Sequence, residues 1–511
     1  MKTLYALSVA LIAVFTAAHA DQVKIESGLL EGTTEAGIRI FKGIPYAAPP
    51  VGDLRWKAPQ PVAAWEGVRK ADQFGARSMQ GRIFDDMIFR DSGPSEDCLY
   101  LNVWTPAKSA GEKLPVMVWV YGGGFVGGGS SEPRQDGTNL AKKGVIVVSM
   151  NYRLGIFGFF SHPDLTKESG HNSSGNYGLM DQAAALDWVH RNIAAFGGDP
   201  ARVTIFGESA GSFSVSALMA SPLSRDLIAG AIGESGAFFS ETLAAQSLEQ
   251  AEQKGLKFAE TAGADSLAAL RGKSAEEILK ASAAKDAPRF GPNIDGYFLP
   301  NPVPAIFAAG EQAHVPLLAG WNEHEGGTPE GNKTTVGDFV ELANKNYGDA
   351  AAQFLNVLHA RTDAEARESA SFLAGARFIA FGTWKWIEAQ LATGGKPVYR
   401  YRFDDRLPQP AGTKSRGAYH SAEIEFVFDN LANKNLPFGA DDRKLAAQMS
   451  SYWSNFGKTG DPNGPGLPNW PVYDSKTGFE VMHLDAVSKA APDDQRKAFE
   501  FLDTHHPAST K

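Results

Sequence analysis

The chain has 511 residues, 43% hydrophobic and 21% charged, with a net charge of −9. Such a composition is globular, and the length allows a large buried core. No lysine- and arginine-rich block is present, which argues against nucleic acid as a partner, and no apolar run long enough to span a bilayer follows the N-terminus.

The first twenty residues have Lys2 near the start, a largely apolar stretch over residues 4–15, and Ala18-His19-Ala20 at the end. A basic start, a short apolar run and a small-x-small ending predict a cleaved secretory signal. The mature chain is then expected to begin at Asp21, in a secreted or periplasmic location. One cysteine, Cys98, rules out an internal disulfide. Its setting, EDCLYLNVW, alternates like a strand entering a sheet and predicts a packing role.

Residues 114–124 (LPVMVWVYGGG) predict a buried strand running into a glycine loop, and residues 144–155 (GVIVVSMNYRLG) predict another. Residues 179–197 have helical apolar spacing, and residues 202–207 (RVTIFG) return to strand. Near-continuous apolar strands alternating with helices predict an α/β fold with a large, mostly parallel sheet covered on both faces. Residues 240–280 and 336–391 predict helices added around that sheet. No repeat and no Gly/Pro/Ser linker appears, so residues 21–511 are expected to form one domain.

The segment FGESAGSF places Ser209 between Gly207 and Gly211. Glycine is abundant, so the bare pattern also arises by chance. Here, however, a strand-like VTIF precedes it and a small, helix-compatible segment follows. A strand–turn–helix is the setting of an exposed nucleophile, and residues flanking so sharp a turn must be small. GESG recurs around Ser235, where Ala237 breaks the spacing. A serine nucleophile requires a base, a carboxylate to orient the base, and donors for an oxyanion. The glycines of YGGGF, residues 121–125, could supply such donors or form a plain flexible loop.

The segments FGGDPARVTIFGESAG (196–211), EDCLYLNVWTP (96–106), FKGIPYAAPPVGDLRWKAPQP, NYRLGIFGFF, GNYGLMDQ and TGDPNGPGLPNWPVY together resemble the type-B carboxylesterases. These are the cholinesterase-like branch of the α/β-hydrolases, and the likeness spans nearly the whole mature chain. The resemblance implies an α/β-hydrolase fold and a catalytic triad of Ser209, Glu325 and His420. WNEHEGG resembles the family's acid segment, whose carboxylate directly precedes a glycine, which favours Glu325 over Glu323. GAYHSAEIEFVF resembles the histidine segment. By the same likeness, Gly123, Gly124 and Ala210 form the oxyanion hole and Ser235 supports the acid. Glu208 either favours the imidazolium form of His420 or is a solvated or structurally paired carboxylate.

The resemblance further implies hydrolysis of a small-molecule carboxylic ester, with no metal and no organic cofactor. An idle binding module, or an amidase or lactonase with the same triad, are the alternatives. Two departures stand out. Many relatives join the cysteine of EDCLYLN to an upstream cysteine, where this chain has Ser78, so the intervening loop is expected to be freer. That loop also lacks the tryptophan with which cholinesterases bind a quaternary ammonium, which argues against choline esters. Phe125, Phe238 and Phe239 fit either an apolar pocket or the core.

Overall fold

The computed structural model describes residues 21–505; the predicted secretory segment, residues 1–20, lies outside the described residues. The strand-like runs assemble into one eleven-stranded sheet. In chain order its strands are β1 (Thr33–Glu35), β2 (Ile38–Pro45), β3 (Tyr100–Thr105), β4 (Leu114–Val120), β5 (Ile146–Met150), β6 (Gly198–Glu208), β7 (Gly230–Glu234), β8 (Leu317–Asn322), β9 (Val398–Phe403), β10 (Glu480–Leu484) and β11 (Lys489–Pro492). Their spatial order is β11-β10-β9-β8-β7-β6-β4-β5-β3-β2-β1. The strands from β10 across to β5 pair in parallel. Antiparallel pairs close both margins.

Every residue of β5 is buried, and so is every residue of β4 except Leu114. Successive side chains on a strand point to opposite faces, so unbroken burial means that both faces are covered. Helix α1 (Tyr177–Asn192) starts slightly before the predicted segment and stops before its end; a 3₁₀ turn, Ile193–Phe196, follows and closes on Gly197 at φ 86°. Helix α2 (Ala210–Ala220) is buried along its whole length against β6 and β7. Its alanines, serines and glycine let it lie that close. Helix α3 (Phe381–Thr393) packs on β8 and β9, and helix α4 (Ala440–Thr459) on β4 and β6.

Both predicted helical regions are helical, but each is broken into shorter pieces. The first holds Leu248–Thr261, Leu267–Arg271 and Ala275–Ser282. The second holds Val336–Tyr347, Ala351–Val357 and Asp363–Gly375, then reaches α3 through a π-helical turn, Ala376–Ala380. A small apolar core of its own, with Phe339, Phe354, Leu373 and Phe501, anchors this second region.

Cys98 is fully buried, as its packing role requires, and lies close to Ser78. Burial pushes the thiol pKa well above its ordinary value, so it stays a protonated, inert side chain. The loop between them, expected to be freer, is clamped by polar contacts instead. Gln80 grips Gly128 through both the carbonyl (2.7 Å) and the N–H (2.9 Å). Arg77 pairs with Asp91, and Arg90 reaches Asp136 at 2.9 Å.

Candidate active site

The parallel strands β4, β6, β7, β8 and β9 deliver their following loops to one edge of the sheet, the carboxyl edge. Open parallel sheets place their sites there. β6 ends at Glu208, and Ser209 turns the chain into α2 with φ 53° and ψ −123°. That is a strained conformation for a non-glycine residue, held by the Ser209 N–H donating to the Glu234 carbonyl at 2.8 Å. The flanking glycines are required by close approach. A methyl group on Gly207 would lie 2.6 Å from the Val120 oxygen and 2.7 Å from the Gly211 carbonyl carbon. One on Gly211 would overlap the Val120 carbonyl.

The glycine loop after β4 lies directly against this turn. A methyl group on Gly122 would sit 2.9 Å from Ser209 Cβ. Gly123 and Gly124 adopt φ 111° and 62°, which expose their amides. Among the described residues the N–H groups of Gly123, Gly124 and Ala210 have no hydrogen-bond acceptor. They are free to donate to a negative oxygen near Ser209.

Three side chains meet in sequence. His420 Nε2 is 2.9 Å from Ser209 Oγ, and His420 Nδ1 is 2.7 Å from Glu325 Oε2. The other Glu325 oxygen accepts from Ser235 Oγ at 2.5 Å and from the Asn322 N–H at 3.0 Å. Ser235, whose motif lacks the full spacing, thus fixes the carboxylate. The glycine after Glu325 is needed for packing: a methyl group on Gly326 would lie 2.7 Å from the Ala374 carbonyl carbon. Glu323, the competing acid, contacts His324 at 3.2 Å instead of His420.

Glu208 is buried at 3% exposure, which removes the solvated reading. Its Oε1 is 3.3 Å from His420 Nε2 and has no hydrogen-bond partner. Burial pushes its carboxyl up, against the favourable charges of His420 and Arg134. Burial alone would lower the His420 pKa, but Glu208 and Glu325 outweigh it and the net shift is upward. An imidazolium is therefore stabilised here, and the acid limb of any rate that needs neutral His420 lies above the ordinary histidine range. Glu208→Gln removes one of the two anions, so that limb moves to lower pH. A pH profile of kcat/KM checks this; a limb that stays or climbs contradicts the assignment.

Four neighbours escaped the sequence reading. Glu423, three residues after His420, is fully buried and accepts from Asn322 Nδ2 at 2.6 Å. Glu234 stands opposite Glu208 in the β6–β7 register and accepts from Trp453 Nε1 at 2.8 Å. Phe378, in the π turn, meets the His420 ring edge-on at 5.0 Å. Asn322 ties Glu325 to Glu423. The repeated GESG was the one visible signal for Glu234. Burial holds the Glu234 carboxyl above its ordinary range, and its second oxygen has no partner. Trp453→Phe deletes its donor, and the chain is expected to lose ~1–3 kcal/mol in urea unfolding; a change under about 0.5 kcal/mol, the level of a neutral substitution, would mean that the bond contributes little.

Phe125, Phe238 and Phe239 prove to be packed side chains. Phe125 and Phe238 stack at 6.1 Å, Phe238 meets Phe213 of α2 at 5.2 Å, and Phe239 meets Phe307 at 5.3 Å.

The profile described as the carboxylesterase family matches residues 19–501. The chain belongs to the carboxylesterase family. It is a carboxylic ester hydrolase with the α/β-hydrolase fold. Among its relatives is the fumonisin B1 esterase of Sphingopyxis macrogoltabida, 39% identical over 91% of this chain and 87% of the relative. The para-nitrobenzyl esterase of Bacillus subtilis is 37% identical over 91% of this carboxylesterase and 94% of its own length. A crystal structure of a Geobacillus stearothermophilus carboxylesterase superposes with a TM-score of 0.79 at 34% identity, covering 93% of this chain and 98% of that one. Among the described residues no helix is long and apolar enough to cross a membrane.

Proposed function

We propose that this carboxylesterase is an exported serine esterase that works through an acyl-enzyme. The observation that carries the reading is the unbroken contact line from Ser209 through His420 to Glu325. His420 accepts the Ser209 proton as Oγ attacks the ester carbonyl. The amides of Gly123, Gly124 and Ala210 receive the oxyanion. His420 then passes the proton to the departing alcohol, and water repeats the cycle on the acyl-serine. Glu325 holds the imidazole in the tautomer that presents Nε2 to the serine, and Ser235 and Asn322 hold Glu325. Side chains and main-chain amides carry every step, so the reading calls on no metal or organic cofactor. Export rests on the composition of residues 1–20, with residues 21–511 as one mature domain.

The test is labelling with a fluorophosphonate followed by peptide mass mapping, alongside hydrolysis of 4-nitrophenyl butyrate. A single adduct on the Ser209 peptide, with loss of turnover in proportion to labelling, is expected. Turnover that survives full labelling of Ser209, or an unlabelled Ser209, overturns the reading. Export is tested separately by N-terminal sequencing of the protein recovered outside the cytoplasm, where Asp21 is the expected first residue. A panel of aryl, alkyl and hydroxycinnamoyl esters ranked by kcat/KM then sets the specificity.

A further inference from the structure

A cavity of about 380 Å³ lies beside the His420 imidazole, walled by Thr328, Ser415, Arg416 and Tyr419. In ester cleavage the alcohol oxygen must reach His420 to be protonated as it leaves. The lining stops short of Ser209, so only the part of the alcohol that extends past the imidazole can enter this cavity.

The cavity has an uneven charge. The Arg416 guanidinium sits 3.9 Å above the Tyr419 ring, which orients it on the residue next to His420. Among the described residues no carboxylate pairs with Arg416. Neighbouring cations are already matched: Arg406 by Glu330 at 3.1 Å and Lys434 by Glu425 at 2.9 Å. The one carboxylate in the wall, Glu325, is taken up by His420, Ser235 and Asn322. His324, also in the wall, is held below its ordinary pKa by burial and by Arg406, and stays neutral. A free guanidinium, exposed at the rim and oriented by Tyr419, suits a planar two-oxygen anion.

We infer that the site prefers esters whose alcohol portion carries a carboxylate, with Arg416 as the residue that binds it. This rests on the esterase reading above and adds a substrate class to it.

Two probes separate the two readings: the O-acetyl ester of 4-hydroxybenzoate, which is anionic, and the O-acetyl ester of methyl 4-hydroxybenzoate, which is neutral. Both leave the same acyl-enzyme. Arg416→Gln is expected to lower kcat/KM for the anionic probe about three- to fivefold, the upper range for an exposed ion contact, and to leave the neutral probe within about twofold. Arg416→Lys, which keeps the charge but not the two-pronged fork, should keep only part of the preference, and high salt should erase it in the wild type. Equal effects on the two probes, or an anionic probe unaffected by Arg416→Gln, overturn the inference while the esterase reading stands. A loss seen only with mono-4-nitrophenyl glutarate, whose carboxylate is on the acyl side, also overturns it. A wild type that cleaves neither acetyl ester overturns the esterase reading itself.

Discussion

Ser209→Ala is expected to cut kcat/KM for 4-nitrophenyl butyrate by about 10⁴–10⁶-fold, with no pre-steady-state burst. The substitution deletes the atom that His420 Nε2 contacts at 2.9 Å and leaves the imidazole with nothing to activate. It changes little else. The φ of 53° at position 209 is imposed by the turn, and alanine meets the same strain as serine. The Ser209 N–H bond to the Glu234 carbonyl uses the main chain and survives. The melting temperature should stay within about 2 °C, because no core volume and no buried partner is lost. A stable variant that keeps burst kinetics would place the nucleophile elsewhere.

Glu325→Gln is expected to cost about 10³–10⁴-fold in kcat, a size seen when a triad acid is made neutral. Glu325 accepts three hydrogen bonds, from His420, Ser235 and the Asn322 N–H. A carboxamide has one oxygen to accept with. Its NH₂ group must face either two donors or His420 Nδ1. In the first case Ser235 and Asn322 lose their acceptor; in the second, Nδ1 becomes an acceptor and Nε2 carries the proton, so the serine has no base. The loss should fall on kcat more than on KM, since both Glu325 oxygens are taken up by His420, Ser235 and the Asn322 N–H. Glu323→Gln, at a carboxylate that contacts His324, should stay within about threefold, in line with a surface charge change. Comparable losses in the two variants would show that the acid had been wrongly chosen.

The central strands could be read from the sequence because parallel strands buried on both faces leave long apolar runs, as in residues 114–120 and 146–150. The tight turn at Ser209 was legible because its sterics demand small residues two positions to each side. Local spacing could not assign His420 or Glu325, which reach Ser209 from loops 211 and 116 residues further along the chain. Only their likeness to whole family segments identified them. Glu423 and Asn322 left no trace, because one buried carboxylate or amide reads like any surface residue until the fold removes its water. The aromatic residues were ambiguous for the opposite reason: Phe125 and Phe238 are apolar in a pocket or a core alike, and contacts such as the 5.2 Å approach to Phe213 decide between them.

The lone thiol has a practical consequence. Cys98 is sealed in the core close to Ser78, and the adjoining loop is held by Gln80 and two arginine–aspartate pairs. Folding therefore requires no oxidant, and reductants have no internal cross-link to sever. Chain expressed without residues 1–20 should reach the same activity with or without a reductant present, and iodoacetamide should leave it undiminished.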